Sequence, residues 1–200
     1  QRQLVQPVGG IEPAHGLVEM AGDLLADQQI ADDVTMFGYS MGGVITSAFA
    51  ARHPDMLRQL ILVAPAGFGG FPTGNWRMMR DLPVIGDWIA RALFPKWHRA
   101  AARSLANSYP HLDRAAADQA AQLKWRGFIP AVLSSLRYCL RDAREAEHRK
   151  LSRADVPVLA IWAAKDEAIP LSGMGNLTKW NRIAVQTQVE GAGHWLPLTH

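Results

Sequence analysis

Three short stretches of the chain carry a nucleophile, a base and a carboxylate. Ser40 lies in Gly38-Tyr39-Ser40-Met41-Gly42, a Gly-x-Ser-x-Gly turn between an apolar, β-branched run and a helix-like one. A serine hydroxyl is a weak nucleophile, so it needs a base to take its proton and a further group to orient that base. His194 stands in Gly191-Ala192-Gly193-His194-Trp195, and Asp166 in Trp162-Ala163-Ala164-Lys165-Asp166-Glu167. Together these residue types could run a nucleophilic attack on a carbonyl.

Each has a plainer reading. Ser40 could cap an ordinary helix, Asp166 could be a turn residue, and Glu167 beside it is a second carboxylate, with Asp166 favoured. Of the seven histidines, His15, His53, His98, His111 and His148 fall in or near predicted helices or linkers and are expected to be solvated; His200 is terminal. Only His194 combines a flexible glycine pair, Gly191 and Gly193 just ahead of it, with a place after a late strand.

Convergence depends on the elements that carry these residues. Leu17–Ile30 predicts an amphipathic helix with Leu17, Met20, Ala21, Leu24 and Leu25 on its apolar stripe. Val34–Phe37 predicts a strand, Met41–Arg52 a helix closed before Pro54, and Leu60–Ala64 a second, non-alternating strand, which together form a βαβ unit. From Gly67 to Arg149 the pattern is helical, with predicted helices over Asp87–Phe94, Ala100–Asn107, Arg114–Trp125 and Pro130–Asp142. Strands resume at Val158–Trp162 and Ala184–Val189, with a helix around Leu177–Asn181 between them. In a parallel sheet the loops after the strands share one edge, so Ser40, Asp166 and His194 can meet there. Gly38 and Gly42 are expected to permit a tight elbow that lifts Ser40 above the sheet at a helix N-terminus, where free N–H groups favour negative charge.

Composition removes other classes. With 48% hydrophobic and 20% charged residues in 200, the chain can bury a real core and is not expected to be disordered. The net charge of +3 is dispersed, and the charged stretch Arg144–Lys150 alternates in sign without aromatic partners, so no nucleic-acid partner is expected. Cys139 is alone, which excludes an internal disulfide and a thiolate metal site. Neither the histidine spacing nor the glycines suggest a metal site or a phosphate loop, so no cofactor is expected. No apolar run reaches the ~20 residues of a membrane-spanning helix, and no signal segment is visible, which favours a cytoplasmic location.

The order Ser, Asp, His, with the GYSMGG turn, the WAAKDEAIP segment and the GAGHW segment, resembles the α/β-hydrolase superfamily with a helical cap, over nearly the whole chain. The resemblance implies an α/β fold, a parallel sheet flanked by helices, with a core formed by residues 1–66 and 151–200 and a helical cap insertion over 67–150. It further implies a serine hydrolase in which His194 takes the Ser40 proton, Asp166 orients the imidazole, an acyl-enzyme forms, and the Met41 backbone N–H is one oxyanion donor. A serine nucleophile separates the chain from relatives with aspartate at that position. Esterases and lipases remain, as do C–C bond hydrolases of ring-fission products and non-catalytic ligand-binding modules on the same fold.

Members of this superfamily carry further strands ahead of the elbow and a helix after the histidine loop. This chain opens on Gln1-Arg2-Gln3 and is expected to be part of a longer reading frame, leaving four parallel strands with Val34–Phe37 as an edge. His15-Gly16, a helix-start turn, is not expected to be the second oxyanion loop. The insertion carries Phe71, Trp76, Met78, Met79, Trp88, Phe94, Trp97, Trp125, Phe128 and Tyr138, which predicts an apolar roof over Ser40 and a hydrophobic acyl or aromatic small-molecule substrate. The run Phe128–Tyr138 is one candidate for the wall facing the cleft, and Tyr39 and Trp195 are candidate substrate contacts.

Overall fold

The computed structural model describes residues 13–70, 74–82 and 84–200, so Phe71 lies outside it. Among the described residues four parallel strands, β1 (Val34–Tyr39), β2 (Leu57–Val63), β3 (Val158–Ala163) and β4 (Val185–Val189), form one sheet in the order β1-β2-β3-β4. Among the described residues β1 pairs only with β2, so it is an edge strand as expected, and Phe37 on it is 58% exposed. The register sets Tyr39 opposite Val63, Val63 opposite Ile161 and Ala163 opposite Val189. The carboxyl ends of all four strands therefore lie along one edge.

Helices α1 (Pro13–Asp27), α2 (Met41–Arg52), α7 (Glu145–Arg153) and α8 (Ser172–Trp180) pack into the layer beside the sheet. Val44, Ala50 and Ala51 of α2 meet Leu60 and Leu62 of β2, Val158, Ala160 and Trp162 of β3, Leu151 of α7 and Leu177 of α8 in one core. Burying a valine or leucine side chain of this core stabilises by about 1.5–3 kcal/mol. Helix α2 is covered nearly all round, which is why its sequence shows no polar face.

α1 corrects the expected stripe. Val18, Ala21 and Leu25 pack against Ala48 and Phe49 of α2, whereas Leu17, Met20 and Leu24 are exposed by 37%, 67% and 62%. The apolar arc of α1 is wider than its contact with α2, and periodicity alone does not say which edge of such an arc turns inward.

Between β2 and β3 the chain forms α3 (Gly74–Asp81), α4 (Ile85–Ser108), α5 (Asp113–Ala121) and α6 (Phe128–Ser134), the last running into a wider turn over Ser135–Cys139. The predicted helices Asp87–Phe94 and Ala100–Asn107 are one helix, α4, continuous through Pro95. Proline forfeits one N–H donor and crowds the preceding turn. The row Ala90, Phe94, Ala102 and Leu105, buried along both halves of α4, offsets that cost. The expected end of the insertion at residue 150 falls inside α7, which packs on α2 and α8. Among the described residues no helix is long and apolar enough to cross a membrane.

Candidate active site

Ser40 sits between β1 and α2 with φ 52° and ψ −121°, a left-handed backbone that an L side chain rarely adopts. Its N–H donates to the Val63 carbonyl at 3.1 Å, and its own carbonyl accepts from Gly43 and Ala66, both at 3.0 Å. The strained turn is thus tied to the end of β2 on both sides of the serine.

Two glycines relieve this elbow. A Cβ on Gly38 would meet the Thr46 hydroxyl, the Gly43 Cα at 2.8 Å and the Gly42 carbonyl at 2.9 Å; one on Gly43 would meet the Pro65 Cβ at 2.8 Å. Gly42 corrects the expectation, because a Cβ there would have nothing within 4 Å. The crowding lies one residue on, at Gly43, where α2 crosses the Pro65 turn.

Asp166 lies three residues after β3. Its Oδ1 accepts from the Ala168 and Ile169 N–H groups at 2.8 and 2.7 Å, and its Oδ2 lies 2.9 Å from His194 Nδ1. His194 lies five residues after β4, with Nε2 2.9 Å from Ser40 Oγ. A carboxylate at Nδ1 selects the tautomer whose proton is on that nitrogen and leaves Nε2 free to accept from a hydroxyl. The Asp166 side chain is 2% exposed and that of His194 23%, so the relay is shielded at the carboxylate and open toward the serine. Glu167, the alternative carboxylate, is exposed and belongs to the cavity wall.

A cavity of about 810 Å3 opens above Ser40 and His194. Its apolar wall includes Trp76, Leu105, Leu140, Ile169 and Trp195, and Ser104, Ser108, Lys165 and Glu167 are polar points on it. Trp195 lies on the cavity wall and also packs against Ala102, Leu105 and Ala116, which joins the histidine loop to α4 and α5. Tyr39 does not line the cavity; its O–H donates to the His194 carbonyl at 2.7 Å from beneath the loop. The run Phe128–Tyr138 corrects another expectation. Ile129, Pro130, Leu133, Arg137 and Tyr138 line a separate groove with Asp87 and Arg91. Trp88 and Trp125 are exposed by 74% and 71%, and Met79 is buried against Ala90, Leu133 and Leu136, so of the expected aromatic roof Trp76 faces the cavity. The wall that α4 supplies, Ala101, Ser104, Leu105 and Ser108, has i, i+3, i+4, i+7 spacing, a signal present in the sequence but masked by small and polar residue types.

Two histidines expected in solvent are not there. His98 is half-buried, with Nε2 2.8 Å from the Gln119 carbonyl and its ring between Phe94 and Phe128. His148 is fully buried, 3.3 Å from Ser47 Oγ, and burial pushes its pKa down to about 4. Both belong to helix faces whose inward side the sequence did not mark. Among the described residues no group of three His, Cys, Asp or Glu side chains is arranged to hold a metal ion.

Residues 23–200 match the α/β hydrolase fold family. The chain belongs to that family. Relatives of this α/β hydrolase include a pimeloyl-[acyl-carrier protein] methyl ester esterase of Neisseria meningitidis, 27% identical over 82% of this chain and 66% of the relative. A 2-hydroxymuconate semialdehyde hydrolase of Pseudomonas sp. strain CF600 is 27% identical over 84% of this chain and 58% of that protein. The chain thus spans about two thirds or less of the length of these curated relatives. Among solved structures, the 2-hydroxy-6-oxo-6-phenylhexa-2,4-dienoate hydrolase of Rhodococcus sp. strain RHA1 superposes with a TM-score of 0.69 at 17% identity, covering 90% of this chain and 64% of that one. The esterase RhEst1 of Rhodococcus sp. superposes with a TM-score of 0.64 at 16% identity, covering 94% and 68%. At those identities the superpositions speak for the shared α/β hydrolase fold. The chain is accordingly a member of the α/β hydrolase fold family, with a four-stranded parallel sheet among its described residues, and is similar to a methyl ester esterase and to a semialdehyde hydrolase.

Proposed function

We propose that this α/β hydrolase cleaves an ester of an apolar acyl or aromatic substrate, with Ser40 as nucleophile, His194 as base and Asp166 as the orienting carboxylate. The observation that carries the reading is the unbroken relay from Asp166 Oδ2 through His194 to Ser40 Oγ, 2.9 Å at each step, at the floor of the cavity.

In this reading the Ser40 hydroxyl proton passes to His194 Nε2 as Oγ attacks the ester carbonyl, and Asp166 stabilises the imidazolium that forms. The carbonyl oxygen becomes an oxyanion facing the N-terminus of α2, where the Met41 N–H is the donor nearest in sequence to the nucleophile. His194 then returns the proton to the departing alcohol, which leaves Ser40 acylated. A water that gives its proton to His194 releases the acid and restores the hydroxyl. The mostly apolar cavity wall suits a hydrophobic acyl or aromatic group.

The 2-hydroxymuconate semialdehyde hydrolase relative favours a second reading, cleavage of a C–C bond beside a carbonyl by the same three residues. Turnover of a short p-nitrophenyl ester measured against that of a ring-fission dienoate separates the two. The common test is treatment of the purified protein with a fluorophosphonate probe, followed by peptide mass spectrometry. Labelling at Ser40 that disappears in His194→Ala is the expected result. An unlabelled Ser40 would overturn the reading in favour of a ligand-binding module on a hydrolase fold.

A further inference from the structure

We infer that Tyr39 is a positioning residue, whose phenol holds the His194 loop where Nε2 can meet the Ser40 hydroxyl. The inference rests on the hydrolase reading above and adds to it a device for keeping the base in register.

Tyr39 is the last residue of β1 and the covalent neighbour of Ser40. Its side chain leaves the strand on the face packed by Val63, Ala163, Ala192 and Leu196, away from the cavity. There the O–H donates to the His194 backbone carbonyl at 2.7 Å, and the ring lies against the imidazole with centroids 5.3 Å apart and planes tilted by 34°. A single side chain thus links the strand that ends at the nucleophile to the loop that carries the base, 155 positions later in the sequence.

The loop needs such a link. Gly191 has φ +77°, Gly193 follows two residues on, and β4, which leads into the loop, has Val185 64% exposed. Two glycines just ahead of His194 widen the backbone conformations open to the loop that carries it. The Lys165 N–H holds the Ala192 carbonyl at 2.8 Å, and the Leu196 N–H holds the Gly193 carbonyl at 3.0 Å. Both bonds act on the flanks, whereas the Tyr39 bond acts on His194 itself. Burial, and after it the charge of Asp166, raises the Tyr39 pKa to about 12, so the phenol remains a donor wherever an imidazole can act as a base. A misplacement of about 1 Å between reacting groups can cost on the order of a hundredfold in rate.

The test compares Tyr39→Phe, which keeps the ring and removes the O–H, with Ile61→Val, which trims the same apolar patch without touching the bond. The readouts are the rate of Ser40 phosphonylation by a fluorophosphonate probe, kcat and KM for p-nitrophenyl acetate, and Tm. Tyr39→Phe is expected to slow phosphonylation and lower kcat by roughly tenfold to a hundredfold at nearly unchanged KM. Ile61→Val is expected to lose a comparable amount of Tm and keep its rate. In the parent protein, the Tyr39 hydroxyl proton is expected to exchange slowly enough for NMR detection, a readout that stands even if Tyr39→Phe does not fold. Undiminished labelling of Tyr39→Phe, equal slowing in Ile61→Val, or a freely exchanging hydroxyl overturns the inference while the hydrolase reading stands. A parent protein that takes no label at Ser40 overturns both.

Discussion

Ser47 Oγ and His148 Nε2 stand 3.3 Å apart where α2 crosses α7, and no solvent reaches the imidazole, whose other face rests on the Phe68 ring with centroids 4.8 Å apart. The pair lies outside the cavity that opens over Ser40.

Its consequence is acid sensitivity. Burial lowers the His148 pKa from the ordinary 6.5 to about 4, so between those values the unfolded chain binds a proton that the folded chain refuses. The stabilisation is whole above pH 6.5, is lost as pH falls toward 4, and changes no further below that. Its size is roughly 3 kcal/mol. Urea midpoints measured from pH 8 to pH 4 should fall more steeply for the parent protein than for His148→Gln, and equal slopes in the two would exclude this origin.

Asp166 and Glu167 are neighbours with different environments. Asp166→Asn offers an amide where His194 needs an acceptor, and kcat for p-nitrophenyl ester hydrolysis should fall by about 10⁴. Glu167→Gln changes an exposed wall residue and should alter kcat less than about threefold. A larger loss for Glu167→Gln than for Asp166→Asn would reverse the assignment.

Gly42 and Gly43 should respond oppositely to alanine. Gly43→Ala drives a methyl group against Pro65 at 2.8 Å and should destabilise by about 1–3 kcal/mol, the usual cost of overpacking. Gly42→Ala meets open space inside a helix and should leave stability unchanged or raise it by up to about 1 kcal/mol. Chemical denaturation of the two variants checks both signs.

Trp76 lines the cavity and packs edge-on against Phe94, with centroids 5.7 Å apart. Trp76→Ala should raise KM for a p-nitrophenyl ester of a medium-length acyl chain by about tenfold and leave that for the acetate ester nearly unchanged. Equal changes for both esters would indicate that the acyl group lies elsewhere.

Much of this was legible in the chain. Val34–Phe37, Leu60–Ala64, Val158–Trp162 and Ala184–Val189 each overlap a strand to within a residue or a few at the ends, because short runs rich in β-branched residues and bounded by turn residues admit few other readings. Pro95 was misleading: the helix passes through it because the packing of α4 outweighs a local propensity. α3 is not marked in the sequence because Gly74–Asp81 spans little more than two turns, opens on Gly74 and Asn75, and buries a single side chain, Met79, too few for a helical apolar period to show.

The sequence by itself determined the order of elements and the residue types able to do acyl chemistry, since both follow from local pattern and from the loops that a parallel sheet gathers at one edge. Which carboxylate faces His194, which edge of α1 turns inward, which glycine the Pro65 turn crowds, and that Tyr39 reaches the His194 carbonyl and not the cavity were decided only in three dimensions. Each of these is a contact between segments far apart in the chain. Its geometry depends on the strand register and on how far each helix is rolled about its axis, and no local stretch of sequence encodes either quantity.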